Sequence, residues 1–180
     1  MAKSRQSDRA YEPGRVIERE VLERILEAGR IAPSACNGQP WHFTVVTEPS
    51  LLVEVGKATS SLGMNKFVKD ASALVLITQE STNITSKLGC GIKDKDFPVM
   101  DLGIASAYIT LAAEDEGIGS CILGWLDDKE IREICGLEEP VRLVVCVGYP
   151  KEGDSLREKK RKSLTELVTF LDGSADKIGE

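Results

Sequence analysis

Three groups of polar residues could do chemistry in this chain of 180 residues. The first is the run Ile31-Ala32-Pro33-Ser34-Ala35-Cys36-Asn37-Gly38-Gln39-Pro40-Trp41, where Ser, Asn and Gln stand among turn formers ahead of an aromatic residue. Turn chemistry alone does not call for that set, so the run reads as a ligand contact. The second is Arg5-Gln6-Ser7-Asp8-Arg9, whose two arginines share a face if the segment is helical and whose guanidinium forks suit a phosphate. The third is Arg157-Glu158-Lys159-Lys160-Arg161-Lys162, which on its own reads as a solvated tail.

Other chemistries are poorly served. Five cysteines (Cys36, Cys90, Cys121, Cys135, Cys146) are widely spaced, lack a Cys-x-x-Cys pair and have one histidine, His42, to help them. Neither disulfides nor a metal centre is expected from that pattern. Cys36 is the tempting nucleophile, but no motif places His42 to activate it, and both read as bystanders to the chemistry. Acidic residues outnumber basic ones 29 to 23, giving a net charge of −6, which disfavours a nucleic-acid partner. No stretch approaches the roughly 18 apolar residues of a membrane span, and the first residues run into charge without an apolar signal core. A cytoplasmic location is expected.

The elements that must position these groups follow from periodicity. Val21, Leu22, Ile25, Leu26 and Gly29 share a face, predicting an amphipathic helix over 18–30 that Pro33 stops. Residues 41–47 are aromatic and β-branched and predict a strand, followed by a helix over 50–60 and a buried strand over 73–78. Residues 79–97 are polar and long for a connection, and read as a candidate lid. Residues 98–116 are apolar on nearly all faces, so that helix should be buried on most sides, in part by a second copy of the chain. Then come a strand over 120–124, a short helix from Trp125 to about residue 134, and a last core strand over 142–148. The glycines Gly117 and Gly119 close a helix, the wrong order for a dinucleotide fingerprint.

Taken together, the motifs carry a resemblance. Arg5-x-Ser7-x-Arg9 followed by Tyr11, then Ala32-Pro33-Ser34-x-x-Asn37-x-Gln39-Pro40-Trp41, then Asp101-x-Gly103-Ile104-Ala105, then Gly148-Tyr149-Pro150 ahead of Lys159-x-Arg161 resemble the FMN-dependent nitroreductase family in order and spacing. The resemblance spans about residues 4–168. It implies an α+β, three-layer fold with a mixed, mainly antiparallel sheet flanked by helices, in an intertwined homodimer. A single FMN-binding domain over 1–172 and a polar tail over 173–180 are expected. It further implies that Arg5, Gln6, Ser7, Arg9, Lys159 and Arg161 surround the FMN phosphate and ribityl chain. Pro33, Ser34, Asn37 and Gln39 would approach the flavin from the same subunit or its partner, and Gly124 and Trp125 would border the ring. Trp41 reads as a core anchor. Gln6 stands where the family often has an arginine, and Asp8 sets a carboxylate between phosphate-binding residues, both expected to lower phosphate affinity.

The chemistry implied belongs to flavin N5, with NADH or NADPH as donor, a ping-pong cycle, a small organic acceptor such as a nitroaromatic or a quinone, and no catalytic side chain. That matches the missing nucleophile, carboxylate pair and metal cluster. A flavin carrier or sensor without turnover is the alternative, and binding of nucleic acid through the basic tail a third.

Overall fold

The computed structural model describes residues 1–60, 63–81 and 95–171. Most of the candidate lid, 82–94, and the 173–180 tail lie outside these. In chain order the elements are α1 (Arg19–Arg30), β1 (Trp41–Val46), α2 (Pro49–Ala58), β2 (Ala73–Gln79), α3 (Phe97–Asp115), β3 (Gly119–Leu123), α4 (Asp128–Cys135), β4 (Val141–Gly148) and α5 (Leu164–Leu167). Short 3-10 turns span Ala35–Asn37 and Lys66–Asp70.

The sheet has the order β1-β2-β4-β3. Every neighbouring pair is antiparallel, and the parallel component is a single bridge from Ser7 to Ser120. Both faces are covered, giving three layers. Because side chains alternate along a strand, Val75 and Ile77 of β2 meet α1 and α3 through Leu22, Ile25, Leu102 and Ile109. Leu74 and Leu76 point the other way into Val55, Val68 and Ile131. Burial on both faces explains why β2 reads as an unbroken apolar run.

The elements expected from the sequence are present, with ends moved by one to three residues. The largest shift is at α4, which starts at Asp128 and not Trp125. Asp127 caps it, accepting a hydrogen bond from the Glu130 N–H at 2.9 Å, so Trp125 and Leu126 stay in the connection.

Within one chain, α3 is buried on part of its surface, and the remainder is the face expected to need a second copy. Leu102, Ala105, Ile109 and Ala113 are buried, but Val99, Met100, Ile104 and Tyr108 remain 37 to 54% exposed within one chain. Uniform apolarity comes from two faces, of which this chain covers one. The covered face depends on Gly29: a Cβ there would lie 2.6 Å from Cγ1 of Ile109, so α1 sits tight against α3. Gly29→Ala overpacks this crossing and is expected to cost about 1–3 kcal/mol in urea unfolding; an unchanged midpoint would contradict the tight crossing.

Candidate functional site

The segment from Ser7 to Glu12 is an extended strap, not a helical turn, and β3 holds it. The Asp8 N–H donates to the Ser120 carbonyl at 2.9 Å, and the Ser120 N–H donates back to the Asp8 carboxylate at 2.9 Å. Tyr11, fully buried, donates from its hydroxyl to the Asp8 carbonyl at 2.9 Å, and the Glu12 N–H reaches the Tyr149 carbonyl at 2.9 Å. In extended chain alternate residues face opposite ways. Asp8 therefore turns inward, 4% exposed, and Ser7 and Arg9 face the other side. This corrects the expectation that the Asp8 carboxylate interferes among the phosphate-binding residues.

The opposite side of the strap meets the C-terminal segment. Gln6 accepts from the Arg157 N–H through Oε1 at 3.0 Å and donates to the Ser155 carbonyl at 3.5 Å. The Arg157 guanidinium donates to the Ser7 carbonyl at 2.6 Å and to the Asp154 carboxylate at 3.0 Å. Together these close a hollow of about 220 Å³ lined by Arg5, Gln6, Ser7, Arg9, Arg157, Glu158, Lys159 and Arg161. All six residues assigned to the phosphate end thus line one space, although the two chain ends are about 150 residues apart. Lys159 Nζ is buried there and has no hydrogen-bond partner. An ammonium withdrawn from water and left unpaired is costly, so an anion in this hollow would pair what the protein leaves unpartnered.

Beside its lining residues are two groups whose protonation burial controls. Burial raises the Asp8 carboxyl, while the Ser120 N–H, Gln6 and Arg157 draw it back down. Burial likewise raises the Cys121 thiol, against the pull of Arg9 and Ser7 beside it. Cys121 is thus kept a neutral thiol beside Arg9 and Ser7, two residues of the hollow's lining.

The 33–41 run forms the second part. Ala35–Asn37 is a 3-10 turn in which Cys36 and Asn37 have φ of 51° and 52°, and Gln39 follows at 44°. The Ser34 hydroxyl accepts from the Gln39 N–H at 3.0 Å, the Gln39 amide donates to the Asn37 carbonyl at 3.3 Å, and the buried Asp101 carboxylate accepts from the Ala35 N–H at 3.1 Å. Trp41 is 9% exposed and stacks on Phe43; it is the anchor expected. His42 is exposed on β1. Gly124 and Trp125 continue from the end of β3, with Trp125 half exposed.

A single chain does not bring these parts together. The hollow and Gly124-Trp125 lie along β3, whereas the 33–41 loop enters β1, at the other edge of the sheet. Three strand spacings, about 14 Å, separate the edges. Gln39 borders a different recess, with Trp41, Phe43, Glu27 and Arg30. Arg157 and Asp101 have contacts to which reasoning from the sequence assigned no role, although both stand in the motifs quoted above. Arg157 was visible within the basic run, but nothing local marked its bond to Ser7. Among the described residues no group of His, Cys, Asp or Glu could hold a metal ion, and no helix is long and apolar enough to cross a membrane.

Since burial raises the Asp8 carboxyl above its unfolded value, ionising it opposes folding; this group favours the folded state increasingly as pH falls through the raised pKa towards the ordinary 3.8. Asp8→Asn keeps an oxygen for the Ser120 N–H and removes that ionisation. Its urea midpoint should rise less than the wild-type midpoint as the pH is lowered from neutral, and equal pH profiles would refute the assignment.

The sequence model of the nitroreductase family matches residues 2–63 and 57–149. A protein of Archaeoglobus fulgidus named as an NADH dehydrogenase/NAD(P)H nitroreductase is 35% identical over 158 residues, covering 84% of each chain. The oxygen-insensitive NADPH nitroreductase of Helicobacter pylori J99 is 28% identical, over 83% of this chain and 85% of that protein. Among solved structures, the FMN-dependent nitroreductase of Clostridium difficile R20291 superposes with a TM-score of 0.72 at 28% identity, covering 94% of this chain and 96% of that one.

Proposed function

The chain belongs to the nitroreductase family, and by that membership is an FMN-dependent NAD(P)H oxidoreductase; we propose that it works by a ping-pong cycle on a small organic acceptor such as a nitroaromatic or a quinone. The observation that carries the cofactor assignment to particular residues is the unpaired, buried ammonium of Lys159 in the hollow between the chain ends. Arg5, Ser7, Arg9, Lys159 and Arg161 hold the phosphate, with charge-assisted hydrogen bonds available from four cations. Gln6 shapes this end by tying the strap to residues 155–157. From Ser120 to Gly124 is about 13 Å along β3, a length that a ribityl chain and ring can follow to Gly124 and Trp125. Bound FMN would supply the redox chemistry, a two-electron exchange in which a hydride equivalent passes from the nicotinamide through the flavin to the acceptor, with protons for the acceptor drawn from solvent.

The other wall comes from a second copy. Pro33 and Ser34 through their backbone, and Asn37 and Gln39 through amides that both donate and accept, suit the carbonyl and nitrogen edges of the flavin. They lie on the far edge of their own sheet, so in this reading they face the partner's flavin across a homodimer. The bare apolar side of α3 (Met100, Ile104, Tyr108) supports the same arrangement, since a surface stripe of this kind is usually covered. One domain over 1–172, a polar tail over 173–180 and a cytoplasmic location complete the proposal.

Purified protein should take up FMN, and Lys159→Met should raise the FMN dissociation constant by about 10- to 100-fold, the effect of losing a charged hydrogen bond. Riboflavin, which has no phosphate, should bind wild type and variant alike; equal losses for both ligands would remove Lys159 from the phosphate. Anaerobic NADH or NADPH should bleach the bound flavin, whereas a flavin that stays oxidised indicates a carrier. Sedimentation of the FMN-bound protein should give a dimer, and a monomer would overturn the shared site.

A further inference from the structure

We infer that Asp101 is a positioning residue for the flavin-facing loop, holding it in a conformation that the loop's own residues disfavour. The inference rests on the flavin reading of residues 33–41. Within four positions Cys36, Asn37 and Gln39 all have positive φ, at 51°, 52° and 44°, and none is glycine. Left-handed backbone is tolerated by Asn but strained for most side chains, and such strain persists only where the surroundings impose it.

The loop's internal bonds do not suffice to impose it. Asn37 N–H to the Ser34 carbonyl, Gly38 N–H to the Ala35 carbonyl, and Gln39 N–H to the Ser34 hydroxyl all run within the same six residues and move with it. Asp101 is different, because it lies one turn inside α3, 66 residues away in sequence. Its carboxylate is 4% exposed and accepts from the Ala35 N–H through both oxygens, at 3.2 and 3.1 Å. Ala35 immediately precedes the left-handed pair, so this contact fixes the turn at its entrance. A carboxylate taken out of water is retained only where a donor compensates it, and the Ala35 N–H is that donor. Asp101 does not reach the flavin-facing amides itself; it acts through the backbone that carries Asn37 and Gln39.

The geometry also links the loop to the helix whose outer side is bare. Asp101 is followed on α3 by Ile104, and preceded by Met100, both exposed. Whatever seats α3 also seats the loop.

The test is Asp101→Asn, alone and combined with Cys36→Gly. The amide keeps the shape and one acceptor oxygen but loses the charge. Dissociation constants for FMN and riboflavin should both rise by about tenfold, since the loop faces the ring and not the phosphate. The midpoint potential of the residual bound flavin should shift, and the Ala35 amide should exchange hydrogen faster in the flavin-free protein. Glycine at position 36 accepts positive φ without strain, so the double variant should recover affinity. Unchanged affinities, a loss for FMN alone, an unshifted potential, or a double variant no better than Asp101→Asn would each overturn the inference. A wild-type protein that takes up no FMN would overturn the flavin reading instead, and the Ala35 exchange rate would still decide whether Asp101 holds the loop.

Discussion

The reciprocal pair of hydrogen bonds between Asp8 and Ser120 is the constraint on which the basic hollow between the chain ends depends. A chain terminus is ordinarily frayed and contributes little to a site. Here the backbone N–H of Asp8 and its buried carboxylate both engage one residue of β3, Ser120, fixing position and direction of the strap together. With Asp8 turned inward, the alternation of extended backbone leaves Ser7 and Arg9 no choice but to face outward. Tyr11 secures the strap from behind, and it fits because a Cβ on Gly148 would lie 2.8 Å from its ring. The carboxylate that looks like an electrostatic intruder in the sequence is the anchor for its cationic neighbours.

That anchor also explains how an acidic protein concentrates basic side chains. Cations converge on the hollow only because the two ends of the chain are stitched side by side, and the stitching itself uses part of the charge. Arg157 is neutralised by Asp154 and bonded to the Ser7 carbonyl, whereas Lys159 is left without a partner. Cations two residues apart in sequence thus have different roles, one structural and one open to a ligand. The overall charge of −6 says nothing about this local field.

Much of the architecture was legible in the sequence where local pattern and tertiary demand agree. The apolar spacing of 21–29 gave α1, the aromatic and β-branched run gave β1, and the unbroken apolar 73–78 run announced a strand buried on both faces. The polar loop and the two basic clusters carried the family resemblance through their joint order and spacing, not individually. What escaped was the pairing of residues far apart in the chain. Asp8 with Ser120, Arg157 with Ser7 and Asp101 with Ala35 are separated by 112, 150 and 66 positions, and no local signal encodes a partner. For α3, composition reports total apolar surface but not whether a chain covers it itself.

The width of the sheet then decides how the proposed site can be assembled. The basic hollow and Gly124 follow β3, and the amide-bearing loop runs from α1 into β1, so within one chain β2 and β4 stand between them. Under the proposed reading, a flavin touching both lies between two copies. By linkage, a cofactor bound only by the dimer favours association, and association in turn completes the cofactor's surroundings. Asp101, which holds the strained loop, lies on α3 beside Met100 of its bare side, so in the proposed reading the dimer contact and the anchor of the flavin-facing loop share one rigid element. Under the proposed reading, α3 is therefore the element through which assembly and cofactor binding are a single equilibrium.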